Sequence, residues 1–148
     1  MSLAEQLLKD VNTAMKARDE LKVSTLRLAC SAVRNTEIDK GRTLTDEEIV
    51  ETLMRESKKR REAVEEYRKA GRQELADKEQ AEFAILSVYL PEQLDETEIE
   101  RIAREVAAEL GAVGMKDKGR VMGAVMPRLR GRADGKLVNQ VVDRILQG

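Results

Sequence analysis

Residues able to do covalent or acid–base chemistry are few and scattered in this chain. Histidine and tryptophan are absent and Cys30 is the single cysteine. That removes Ser-His and Cys-His nucleophilic pairs, imidazole metal sites and cysteine-rich zinc clusters. Ser24 and Ser31 share one helical face with Lys22 nearby, a spacing that belongs far more often to helix-packing serines than to nucleophiles. The paired carboxylates Glu47–Glu48 and Asp95–Glu96 fall at helix starts, where capping and the helix dipole account for them. No Gly-rich phosphate loop is present. These residues point to no catalytic group, no metal and no cofactor.

Charge offers more than nucleophiles do. The chain carries 27 Lys plus Arg against 28 Asp plus Glu, yet the balance is uneven along the C-terminal third. From Glu92 to Gly114 there are seven acidic residues against Arg101 and Arg104. From Met115 to Lys136 there are seven basic residues, Lys116, Lys118, Arg120, Arg128, Arg130, Arg132 and Lys136, against Asp117 and Asp134, a local charge of +5. Such a segment can neutralise phosphates and gain affinity through counterion release. It can equally pair with the acidic helix before it, and cations at a helix C-terminus need no ligand. A second cluster, Lys58 to Arg61, is interleaved with Glu56, Glu62, Glu65 and Glu66 and reads as a solvated face. With Tyr67, Phe83 and Tyr89 the only aromatics, base-stacking platforms for single strands are not expected.

The elements that must position these charges are all helices. Leu3, Leu7, Leu8, Val11, Ala14 and Met15 step by three or four behind Ser2 as a cap. A second helix is expected from Leu21 to Lys40, with Val23, Leu26, Cys30, Val33 and Ile38 inward and Gly41 as its stop. Thr45 and Glu48 have capping-box spacing and open a long helix from Asp46 to Ala70, stopped by Gly71. A fourth spans Glu74 to Val88. Pro91 then breaks the pattern and marks a boundary between a domain over 1–91 and one over 92–148.

Beyond it, Asp95 with Glu98 opens a helix over Glu96 to Leu110 closed by Gly111. A sixth runs from Asp117 to Leu129, and a seventh from Gly135 to Leu146 behind Asp134. Gly119 and Gly123 lie one turn apart in the sixth, each costing about 1 kcal/mol relative to Ala, so close helix packing or a ligand against the backbone is expected there. Pro127 removes the bond to the Gly123 carbonyl and should tighten the last turn. The fold class is therefore all-α, a four-helix N-terminal part followed by a small three-helix C-terminal domain. No run approaches a membrane span. A lone cysteine and an N-terminal segment, MSLAEQLLKD, without a basic and then long apolar stretch suggest a cytoplasmic protein.

Several strings carry a family likeness. STLRLACSAVRNTEIDKGRTLTDEEI, KAGRQELADKEQAE, YLPEQL and GRVMGAVMPRLRGRADGKLVNQVV together resemble the YqeY family, small bacterial proteins related to the tail of the B subunit of the tRNA-dependent glutamyl/aspartyl amidotransferase. The likeness to that tail rests on Gly119, Gly123, Met126, Gly131, Ala133, Val138 and Asn139, and departs from it at Asp134-Gly135, where the tail often has Asn-Pro. The resemblance implies a mobile helical module that contacts tRNA, with Lys118, Arg120, Arg128, Arg130, Arg132 and Lys136 facing the RNA. Gly119, Gly123, Gly131, Asp134 and Asn139 are then the residues that shape the turn. It also implies a label of carbon–nitrogen ligase activity with glutamine as amido-N-donor. Three functions follow as expectations: a tRNA- or RNA-associated accessory module, non-catalytic by itself; a component of tRNA amidation acting through a protein partner; or a helical protein-binding adaptor docking through its third helix.

Overall fold

The computed structural model describes residues 1–148. It contains seven α-helices and no strand: α1 (Leu3–Lys16), α2 (Glu20–Lys40), α3 (Asp46–Lys69), α4 (Gln73–Ser87), α5 (Glu96–Leu110), α6 (Lys118–Leu129) and α7 (Gly135–Gln147), with a 3-10 turn, Met115–Asp117, leading into α6. The chain divides into two compact units, Met1–Leu90 and Pro91–Gly148. No helix is long and apolar enough to cross a membrane.

Local chemistry sets most helix ends. Ser2, Asp19, Thr45, Asp95 and Asp134 each accept a first-turn N–H, and Thr45 with Glu48 forms a reciprocal capping box. Asp19 and Arg18 were not among the expected signals: the α1–α2 connection closes on Arg18 at φ 58, a left-handed position filled here by a non-glycine residue. Between α2 and α3, Glu48 takes both Lys40 (2.7 Å) and Arg42 (2.7 Å), and Glu37 accepts the Leu44 N–H at 3.0 Å. The Arg42 and Lys40 side chains hold the Glu48 carboxyl far below its ordinary range.

In the first unit, Leu7, Leu26, Ala29, Val33, Ile49, Leu53 and Leu86 form the core, with Cys30 and Tyr89 packed against it. Burial raises the Cys30 thiol pKa. Tyr89 donates from its hydroxyl to Asp10, tying the segment after α4 to α1; burial, then this carboxylate, pushes the phenol pKa upward. Three residues of the apolar pattern face solvent instead: Leu8, Met15 and Ile38. Leu8 sits about 100° around the helix from buried Leu7, and Ile38 about 140° from buried Val33, so neither shares the inward stripe.

The basic run in α3 is also corrected. Lys59 and Arg61 are exposed, but Arg60 is buried. It continues the inward series Ile49, Leu53, Ser57, Arg60, Val64. Its guanidinium meets Glu56 at 2.9 Å and reaches to 3.5 Å from Glu82 on α4, where Nε makes no hydrogen bond. Glu79 stands beside this cluster; burial, then the Glu82 charge, raises its carboxyl pKa.

The second unit has an aliphatic core: Ile99, Ala103, Val106, Val121, Val125, Leu129, Val138, Val141, Val142 and Leu146, with Ala107 and Ala133 at its edge. Val113 N–H and Arg120 both bond Asp117, which anchors the entry to α6 and lowers the Asp117 carboxyl pKa, the backbone bond first. Pro127 lies inside α6, and the helix ends two residues later at Leu129.

Candidate nucleic-acid interface

A short segment joins α6 to the first turn of α7, and the sequence holds it firmly. Leu129 and Ala133 are buried in the core of the unit, one at each side of Gly131. Gly131 takes φ 78, which favours glycine. Arg132 N–H donates to Leu129 C=O at 2.9 Å and closes the turn. The segment before α5 straps it from the other side: Leu94 N–H donates to Arg132 C=O at 2.8 Å, and Gln93 Nε2 donates to the carbonyls of Gly131 (2.9 Å) and Pro91 (3.0 Å). Asp134 then caps α7 through the Lys136 N–H at 3.2 Å.

That arrangement sorts the six basic candidates into two groups. Lys118 pairs with Asp143 of α7 at 2.7 Å, Arg120 with Asp117 at 2.9 Å, and Arg128 with Glu109 of α5 at 3.0 Å. Arg130, Arg132 and Lys136 are exposed and take no part in these three pairs; Asp134, the acidic residue of the turn, stands between Arg132 and Lys136 in sequence. The alternative in which α5 absorbs the basic segment therefore accounts for Arg128 and not for the turn. Arg101, Arg104 and Arg144 meanwhile pair with Glu105, Glu100 and Glu96, so much of the acidity of α5 is neutralised within the unit. The positive end of α7 adds its dipole beside Lys136.

The small and polar residues of the motif fall in different places. Gly131 and Asp134 shape the turn itself. Gly119 and Gly123 lie one turn apart on the exposed side of α6, and a Cβ on either would meet nothing within 4 Å. Close helix packing is thus not their reason. Asn139 is half-buried on α7 and its side chain makes no hydrogen bond to the turn. The orienting bonds come instead from Gln93 and Leu94, whose proximity no helical periodicity reveals because they lie some forty residues away in sequence. No group of three or more His, Cys, Asp or Glu that could hold a metal ion occurs.

Comparison with known proteins supplies a lineage for this geometry. The sequence model of the Yqey-like proteins matches residues 4–146. The protein called altered inheritance of mitochondria protein 41, mitochondrial, of Vanderwaltozyma polyspora is 33% identical over 119 residues, covering 75% of this chain and 64% of that protein, so the chain spans just under two thirds of that relative. Its namesake from Pyrenophora tritici-repentis is 27% identical over 144 residues, covering 95% of this chain and 79% of that protein. A glutamyl-tRNA(Gln) amidotransferase subunit of Thermococcus gammatolerans is 48% identical over 58 residues, 36% of this chain and 9% of that much longer protein. Two expectations are corrected here. Relatives that match three quarters or more of the chain are mitochondrial proteins of eukaryotes by name, so neither the cytoplasmic assignment nor the bacterial one stands. A lone cysteine and an unexceptional N-terminal segment report no compartment.

Proposed function

This chain belongs to the family of Yqey-like proteins, and from that premise we propose that it is an RNA-associated accessory module that presents the α6–α7 turn to the phosphate backbone of tRNA or another structured RNA. One observation carries the reading: Arg130, Arg132 and Lys136 stand exposed, outside the ion pairs that hold Lys118, Arg120 and Arg128, on a turn braced from behind by Leu129, Ala133, Gln93 and Leu94. Exposed cations on a fixed backbone keep their charge for a ligand and lose little entropy on meeting one. Gly119 and Gly123, two to three helical turns before the braced turn, leave α6 without side chains where a nucleic-acid backbone could approach.

A second reading is favoured by the 48% identity to a segment of the Thermococcus amidotransferase protein. In it the chain takes part in glutamine-dependent tRNA amidation through a protein partner, which brings the amide-transfer chemistry while this chain brings contacts to the RNA. Both readings require structured RNA to bind, and the second requires tRNA. Fluorescence anisotropy of the purified protein with bulk tRNA and with a plain duplex RNA, from about 50 to 200 mM salt, tests them. Micromolar or tighter tRNA binding, steep in salt and stronger than for the duplex, is expected. Absence of tRNA binding at the lowest salt overturns the second, and absence of binding to either RNA overturns both.

A further inference from the structure

A second surface, in the first unit, has a different character. Met15, Val23 and Leu28 floor an open groove of about 750 Å³ between the end of α1 and α2, rimmed by Arg18, Arg27 and Glu20. Met15 is 48% and Leu28 56% exposed, unusually open for large apolar side chains beside each other. Leu28 and Ser31 also line an adjoining groove of about 410 Å³ between α2 and α3, whose walls include Asn35, Thr52, Arg55 and Lys59. The two join along the outer face of α2, where Ser24, Leu28, Ser31 and Asn35 follow helical spacing over about 16 Å, the length of three helical turns. Small serines at two of these positions let a partner backbone come close.

The charges select the occupant. Arg27 contacts the Met15 sulfur at 3.5 Å and Arg55 the Thr52 hydroxyl at 3.3 Å, while Arg18 makes no side-chain bond; none of the three has a carboxylate at ion-pair distance. The acidic wall residue of the second groove, Glu56, is already engaged by Arg60 and Lys59. Arg18 also keeps the left-handed conformation, φ 58, at a site where glycine would carry no strain, and that places an arginine at the groove mouth. We propose that this groove docks an acidic amphipathic helix of a partner protein, its apolar stripe on Met15, Val23 and Leu28 and its carboxylates on Arg18, Arg27 and Arg55. An apolar floor distinguishes this surface from the purely basic α6–α7 turn, and the inference does not depend on RNA binding there.

The probe is a displayed library of helix-patterned peptides about 16 residues long, just beyond the length below which isolated helices are marginal in water, selected against the full chain. Enriched peptides are expected to carry apolar residues at helical spacing flanked by Asp and Glu. Their affinity should fall about tenfold or more, a loss of ~1.4 kcal/mol or more, for Leu28→Glu, for Arg27→Glu, and for peptides whose Glu residues are replaced by Lys. Leu28 and Arg27 are exposed, so both variants should keep the wild-type circular dichroism spectrum and melting curve. Failure to enrich any helix, enrichment of neutral or basic ones, or binding indifferent to Leu28→Glu overturns the proposal. So does displacement of the peptides by bulk tRNA together with loss of tRNA binding in Arg27→Glu, which would assign the groove to RNA.

Discussion

Replacing Arg60 by alanine removes the enclosed cation of a cluster whose other cation, Lys59, reaches Glu56 at 3.4 Å from an exposed position. The Arg60 side chain is 10% exposed, and Glu56 and Glu82 around it are 17% and 12% exposed. The guanidinium holds Glu56 at 2.9 Å and lies 3.5 Å from Glu82, with Glu79 alongside. Its loss leaves Glu82 without its cation and Glu56 with the exposed Lys59 alone, and breaking a buried pair in this way costs about 3–5 kcal/mol. For a chain near 150 residues that is a fall in Tm of roughly 2–4 °C per kcal/mol, read by calorimetry or circular dichroism. The loss should depend on pH with a definite sign. The Glu79 carboxyl is already raised by burial and by Glu82, while the Arg60 charge lowers it. Without Arg60 it rises further, so its neutral form is favoured. A raised carboxyl contributes its stability fully below the ordinary glutamate value, ~4.3, and loses it as pH rises through the folded-state value. Arg60→Ala should therefore be least harmful near pH 4–5 and most harmful near pH 7. The double change Arg60→Met, Glu82→Leu, which removes the cation and one of its carboxylates together, should recover much of the loss. A single variant within about 1 kcal/mol of wild type at pH 7, the range of an exposed pair, would refute the enclosed cluster.

Other outcomes follow from the same structure. Glu48→Gln should flatten the acid side of the stability curve: Arg42 and Lys40 hold the carboxyl low, so its stabilisation is present above the ordinary value of ~4.3 and lost as pH falls toward the folded-state value, as acid titration followed by circular dichroism would show. Gly131→Ala forces a Cβ into φ 78 and should destabilise by about 1 kcal/mol, whereas Gly119→Ala, with open space around its Cβ, should stabilise by about 0.5–1 kcal/mol in chemical denaturation. If Gly119→Ala nevertheless weakens tRNA binding, close approach of RNA to the bare face of α6 is the reason.

Much of the fold is legible because its signals are local. Ser2, Thr45 with Glu48, and Asp95 with Glu98 open helices, and Gly41 and Gly111 close them, through contacts within one turn. Side-chain direction is less legible. Leu8, Met15 and Ile38 belong to apolar series yet face water, because a stripe wide enough to include them exceeds what neighbouring helices cover. Arg60 is the converse: its type says surface, but its position continues the stripe of Ile49, Leu53 and Ser57, and Glu56 one turn earlier with Glu82 on another helix makes its burial tolerable. At the candidate interface the basic residues can be counted in sequence. Which of them are neutralised cannot, since Lys118 meets Asp143 and Arg128 meets Glu109 only through packing, and the Gln93–Leu94 strap is equally non-local.

The salt dependence of tRNA affinity in two triple variants tests the central claim most directly. Arg130→Ala, Arg132→Ala, Lys136→Ala removes the exposed cations of the braced turn; Lys118→Ala, Arg120→Ala, Arg128→Ala removes those held in the carboxylate pairs of α6. If each turn residue neutralises one phosphate, the first variant should lower the slope of log affinity against log salt by about 0.9 per residue, or roughly 2.7 in all, while the second lowers it by about 1 or less. Equal slopes in wild type and the turn variant, or a larger effect from the paired set, would contradict the assignment of the α6–α7 turn as the RNA-facing surface.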